Sequence, residues 1–245
     1  MELQLLLEES RKNHLVATLN RLTGAINSHL SDLVPAIEVV FAALQANPTL
    51  APSIRGESAE EILESWLNKY LRGYEKRASQ RSSNVPGTIP DPIINVILEA
   101  RLPQLDQASV NKIIYGHRLA MSAENILGPM LEEFLSIQLK PSGWFCCWGE
   151  TLRSVDFVNR DGRLLQVKNR SNSENSSSSR VRRGTAIEKW FRVNATSGEY
   201  QWDQLNKIKK SPELSEESFK KFVQQALQKN NAALAVEAKN PWHKK

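Results

Sequence analysis

Only two of the 245 residues are cysteine, and they are adjacent, Cys146 and Cys147. Neighbouring positions on a strand point to opposite faces, so the pair offers neither a structural disulfide nor a zinc site, and packing is their expected role. The four histidines, His14, His29, His117 and His243, show no Cys/His metal spacing. No stretch approaches the roughly eighteen consecutive apolar residues of a membrane span. The opening MELQLLLEESRKNH has acidic residues where a secretory leader needs a basic start and a small-residue cleavage site. The expectation is a cytoplasmic protein with no membrane partner. Internal repeats are absent too.

What is present suits a folded protein. With 40% hydrophobic residues, a chain of this length can bury one substantial core, and the economical reading is a single domain over 1–245. The net charge is only +5, but Arg180, Arg182, Arg183, Lys189 and Arg192 crowd into a short stretch. Such a run suits a nucleic-acid footprint and equally a solvated face.

Up to residue 139 the apolar residues recur at helical spacing. Leu15, Leu19, Leu22 and Ile26 share one face, and Ile37, Val40, Phe41 and Leu44 another. Turn signals at Asn47-Pro48, Pro52 and Gly56 precede a helix over 57–78 with Ile62, Leu63, Trp66, Tyr70 and Leu71 as its apolar stripe. The segment QRSSNVPGTIPDP, 80–92, cannot sustain a helix and reads as a surface loop. Short helices are expected over 93–101 and 107–117, and a longer one over 122–139 opened by Ser122 as cap.

After Lys140-Pro141-Ser142-Gly143 the pattern turns to short strands at 144–148, 152–158 and 163–168, the last two joined by the turn Asn159-Arg160-Asp161-Gly162. The segment RSNSENSSSSR, 170–180, is polar and low in complexity. Beyond it a strand is expected over 186–193, a helix over 216–229 with Phe219, Phe222, Val223 and Leu227 inward, and a strand over 232–238. Trp66, Trp144, Trp148, Trp190 and Trp202 read as core or interface residues.

One constellation carries chemistry. In RLLQVK, Gln166 and Lys168 lie two apart and so share a strand face, while the turn at 159–162 can fold Asp156 back beside Gln166. Oxygen ligands around a divalent cation, with an ammonium nearby, are what metal-assisted phosphodiester cleavage requires. The bland alternative is a solvent-facing hairpin, since short Asp…Gln-x-Lys patterns arise by chance. Two decoys compete. Glu237-Ala238-Lys239 is a formal ExK, but Asp203 lies across a helix from it, so a terminal strand or DNA-facing tail is favoured. Pro90-Asp91 sits in a Pro-rich loop and reads as a turn.

At these residues the chain resembles the PD-(D/E)xK nuclease superfamily, and within it type II restriction endonucleases of the SinI/AvaII-like group, which act on double-stranded GGWCC. The resemblance covers most of the chain and is densest between residues 120 and 200. It implies a mixed α/β fold: a restriction-endonuclease-like core of mixed β-sheet flanked by helices over 119–245, with a helical N-terminal part over 1–118. Asp156 matches the family's metal-binding aspartate and Lys168 its catalytic lysine. Gln166 departs from the commoner Asp or Glu, although QxK variants occur. The stretch Leu127-Gly128-Pro129-Met130-Leu131-Glu132 is similar to the family's Gly-x-x-Leu-Glu helix element, which makes Glu132 a further metal-binding candidate, with Glu124 and Glu133 behind it. A glutamine carbonyl brings no negative charge, so Asp156 and a second acid such as Glu132 have to neutralise Mg²⁺.

The resemblance further implies a homodimer matched to a two-fold symmetric site, and a cognate DNA methyltransferase as genetic partner. Base edges are read by forked donors and paired donor–acceptors, and Arg170, Asn172, Asn175, Ser177, Arg180, Arg182 and Arg183 supply such groups directly after Lys168. A Ser-rich linker touching only phosphates is the plainer reading of that segment. The loop 77–88 is a second recognition candidate. Two other functions stay open: a non-catalytic nucleic-acid-binding protein of the same fold, and a nuclease directed by structure or modification.

Overall fold

The hairpin expected around the Asp-Gly turn forms. The structure, a computed structural model, describes residues 1–9, 12–171, 186–209 and 214–243. Among them one sheet is ordered β1 (Trp144–Cys146), β2 (Phe157–Asn159), β3 (Leu164–Arg170) and β4 (Ile187–Val193). The first two pairings are antiparallel and β3 runs parallel to β4. Asn159 builds the β2–β3 turn: its Oδ1 accepts from the backbone N–H groups of Asp161 and Arg163 at 3.0 and 2.8 Å, and its carbonyl accepts from Gly162 N at 3.0 Å. Gly162 sits at φ +81°, a conformation that costs glycine nothing.

Helices fill the N-terminal half: α1 (Leu3–Glu9), α2 (Lys12–Gly24), α3 (Val34–Ala46), α4 (Ala59–Glu75), α5 (Ile93–Arg101) and α6 (Gln107–Leu139). Two more, α7 (Trp202–Lys209) and α8 (Glu216–Lys229), follow the sheet. The fold is therefore mixed α/β with a helical N-terminal half, as the sequence indicates. Helix α4 starts where Ser58 Oγ accepts from Glu61 N at 3.2 Å, and its stripe Ile62, Leu63, Trp66 and Tyr70 is buried. Trp66 packs edge-on against Phe41 of α3 at 5.2 Å between ring centroids. Truncating such a buried aromatic costs about 3–5 kcal/mol.

One hydrophobic cluster joins α1–α4, α6, the sheet and α8. The stretch Ser28–Ala46 is long and apolar enough to cross a membrane by composition, yet its Leu30, Leu33, Ile37, Val40, Phe41 and Leu44 are buried in that cluster. Helix α6 packs on β1 and β3, and α3 on β1 and β2. Around Phe134 of α6 gather Trp202, Phe219 and Phe222, which tie α7 and α8 to the sheet through Trp190. The five tryptophans read as core or interface are all buried.

Four expected elements differ. Residues 107–117 and 122–139 belong to one helix of 33 residues, capped by Asp106, whose side chain accepts from Ser109 N at 2.8 Å. The intervening Arg118, Leu119, Ala120 and Met121 are good helix formers, and Ser122 is a buried interior residue, not a cap. The strand expected over 152–158 starts only at Phe157, because 152–155 turns inward, burying Leu152 and Val155 and setting Ser154 at φ +63°. The strand expected over 232–238 does not form. Asn231–Ala233 is a 3₁₀ turn whose end is tied by Ser83, which donates from N to Ala232 O at 3.0 Å and from Oγ to Ala233 O at 2.6 Å.

Candidate active site

Main-chain bonds fix Asp156. Its N–H donates to Leu165 O at 3.0 Å on β3, and its carbonyl accepts from Cys147 N at 2.8 Å on the continuation of β1. Its carboxylate Oδ2 accepts from Val167 N at 2.7 Å. Val167 lies between Gln166 and Lys168, so that bond aligns the carboxylate with those two residues. Gln166 is only 2% exposed, which excludes the solvent-facing hairpin, while Val167 is buried beside Trp190 of β4.

Asp156, Gln166, Lys168 and Glu132 line one open cleft of about 1000 Å³. The other two upstream acids fall elsewhere. Glu124 is exposed on α6. Glu133 is buried and accepts from Ser79 N at 2.7 Å and from the Ser79 hydroxyl, with Arg77 Nε at 3.2 Å. It fastens the loop after α4 to α6. Glu132 is partly buried in the cleft wall, and its carboxyl is pushed up to about 8. Loss of solvation is the largest cause, followed by the charge of Asp156; Lys168 opposes both. Burial also holds the Cys146 and Cys147 thiols well above their ordinary range, and both are free and buried, as packing residues should be.

Glu237 does not approach this site through a strand. Arg118 Nε donates to its Oε1 at 2.6 Å, and the same guanidinium bonds the carbonyls of Pro86 and Thr88, so the ExK look-alike clamps the C-terminal segment to α6. Asp91 lies in a turn, its Oδ1 accepting from Ile93 N at 2.9 Å. Of the basic run, Arg192 is buried and bonded to Glu216 and Asn169, a structural role that removes it from any nucleic-acid footprint. Arg170 ends β3 in an exposed position. Asn172, Asn175, Ser177, Arg180, Arg182 and Arg183 lie outside the described residues.

With this geometry in place, comparison decides the family. Residues 23–229 match the SinI restriction endonuclease family. The chain belongs to that family. It is similar to two type II restriction enzymes, Eco47I of Escherichia coli and SinI of Salmonella infantis, each 40% identical over 144 residues. The match takes in 57% of this chain and 62% of each relative, so the chain spans less than two thirds of those relatives' length.

For a member of this family the donor set at the cleft fits a hard divalent cation. Asp156 and Glu132 offer carboxylate oxygens and Gln166 an amide oxygen. Among the described residues no group of three or more His, Cys, Asp and Glu side chains is arranged to hold a metal, so a neutral oxygen has to complete the set. The field of Asp156 that disfavours charge on Glu132 is what a cation bound by both would relieve.

Several cleft residues escape sequence reading. Glu150 lines the cleft at φ +55° and its charge also raises Glu132. Lys69 and Arg72 of α4, Lys76 at its C-cap, and Arg153 line the same cleft. The first three follow helical spacing, but nothing in the local sequence tells that α4 faces a strand almost a hundred residues later.

The raised Glu132 carboxyl gives a pH-dependent stability. Its folded pKa lies above the ordinary carboxylate value, so its stabilising contribution is full at acid pH and is lost as pH rises through about 8. In EDTA, thermal unfolding of Glu132→Gln should therefore gain on wild type steadily between about pH 5 and pH 8. A constant difference across that range would show that Glu132 titrates normally.

Proposed function

We propose that the chain is a type II restriction endonuclease that uses Mg²⁺ to hydrolyse phosphodiester bonds in double-stranded DNA at GGWCC, in the cytoplasm. The observation that carries this reading is the meeting of Asp156, Gln166, Lys168 and Glu132 in one cleft. Asp156, Glu132 and Gln166 would hold the ion. Bound there, Mg²⁺ supplies positive charge against a non-bridging phosphate oxygen. Lys168, on the strand face it shares with Gln166, places an ammonium where charge builds up on the phosphate and steadies the attacking water. The Val167 N–H, by holding Asp156 Oδ2, keeps the carboxylate aimed while this happens.

Recognition would fall to Arg170 and to Asn172, Asn175, Ser177, Arg180, Arg182 and Arg183, which follow Lys168 directly in sequence. A cognate methyltransferase would protect host DNA. The helical part, 1–118, and the core, 119–245, would work as a single unit.

A two-fold symmetric target calls for two copies of the chain. Support comes from α5, which buries none of its residues although Ile93, Ile94, Val96 and Ile97 are all at least 40% exposed. An apolar helix left in water is what a second copy would cover.

A plasmid digest tests the activity. Wild type with Mg²⁺ should give discrete fragments ending at GGWCC and none in EDTA, and Lys168→Ala should cut about a hundredfold more slowly or worse while still binding DNA. Binding with no cleavage would instead mark a non-catalytic DNA-binding protein, and nicking or smearing a nuclease directed by structure. For the dimer, sedimentation of wild type should give twice the chain mass and Ile97→Glu the mass of one chain. A monomeric wild type, or a variant that still pairs, would contradict the α5 interface.

A further inference from the structure

The acids of the cleft account for a cation, but they repel the polyanion that must enter it. The opposite charge is supplied by a different element. Lys69, Arg72 and Lys76 occupy positions i, i+3 and i+7 of α4 and its C-terminal end, so they form a single ridge, and Arg81 continues it just beyond the helix. All four line the cleft that holds Asp156 and Gln166. Among the described residues none of them has a carboxylate within salt-bridge distance. Arg77, which lies among them in sequence, is excluded because Glu133 and the Tyr74 ring already engage its guanidinium. A helix C-terminus attracts cations in any case, but that effect does not place them on the wall of a cleft.

The position of this ridge is set by a backbone contact. A Cβ on Gly73 would meet Gly149 N at 2.2 Å, and one on Gly149 would meet Lys69 O at 2.2 Å, with Gly149 at φ +71°. Trp66 Nε1 also donates to Thr151 O at 3.1 Å. Helix α4 is thus seated, main chain against main chain, on the turn 148–151 that leads into Asp156. A phosphate held on the ridge and a phosphate at Asp156 therefore keep a constant relation, set by the glycine pair.

We propose that Lys69, Arg72, Lys76 and Arg81 form the wall that grips the sugar–phosphate backbone of duplex DNA next to the Asp156 site, without reading its sequence. This rests on the duplex-DNA reading of the same cleft. The ridge carries point charges and forked donors with no acceptor among them, which suits phosphate oxygens; the same donors also fit the acceptor edge of guanine, and equal weakening on two duplexes of different sequence is what marks a phosphate contact.

The test is binding by the full-length chain, in EDTA so that nothing is cut, to two 30-base-pair duplexes, one with a central GGACC and one without any GGWCC. Affinity is measured from about 50 to 200 mM salt. Replacing Arg72 and Lys76 together by Ala removes two phosphate contacts, so the affinity that wild type loses over that salt range should shrink about twelvefold, equally on both duplexes. The swapped pair Arg72→Lys/Lys76→Arg should restore the salt dependence, and Lys220→Ala, outside the cleft, should leave it alone. The proposal is overturned if the double-Ala protein binds both duplexes as wild type does, or if it weakens only on the GGACC duplex. The two readings separate cleanly. A wild type that binds through these residues but never cuts sinks the endonuclease and spares the wall; one that cuts at GGWCC with the double-Ala protein still binding normally does the reverse.

Discussion

The structure turns on how tightly the main chain holds Asp156. Strand β3 receives its N–H at Leu165, the chain beyond β1 donates to its carbonyl from Cys147, and the Val167 N–H takes one carboxylate oxygen. A carboxylate bonded in this way cannot swing to another rotamer without giving up a bond to a buried backbone donor, which costs about 1–3 kcal/mol. The strands are only three to seven residues long, so the sheet itself offers little stiffness. The aspartate's own bonds continue the pairing of β1, β2 and β3 at the end where the cleft opens.

Everything else at the site is brought to that aspartate from a distance. Helix α6 delivers Glu132 across the cleft while the next residue, Glu133, faces away to bind Ser79 and Arg77. Adjacent acids on one helix thus separate into a cleft residue and a fastener, because successive helical positions are about 100° apart. Helix α4 delivers the basic ridge, and only two glycines facing each other allow its backbone to lie so close to the turn 148–150. Cations from α4 and its C-terminal end therefore line the same cleft as Asp156 and Glu132.

Much of this was legible in the sequence, for identifiable reasons. The β2–β3 hairpin followed from Asp-Gly between short apolar runs, and Gln166 and Lys168 followed from the two-residue period of a strand. Glu132 came only through family resemblance, since on composition alone it was indistinguishable from Glu124 and Glu133; burial is what separates the three, and burial depends on tertiary contacts. No strand forms over 232–238, because its apolar residues lie beside a loop held by Ser83 and Arg118 instead of beside another strand. Helix α6 reads as two in the sequence because Ser122 offers a cap, whereas Arg118 to Met121 continue the helix. The basic ridge was invisible for a different reason: its residues are ordinary on an exposed helix, and their meaning comes from a glycine contact between positions 73 and 149.

The central claim is that Asp156, Gln166 and Glu132 together bind one divalent cation even though one of the three carries no charge. Anomalous diffraction from crystals grown with Mn²⁺ in place of Mg²⁺ tests it most directly. The account predicts a peak ligated by Asp156 and Gln166 Oε1 with Glu132 completing the set. Peaks found only elsewhere at saturating Mn²⁺, with these three side chains unligated, would contradict it.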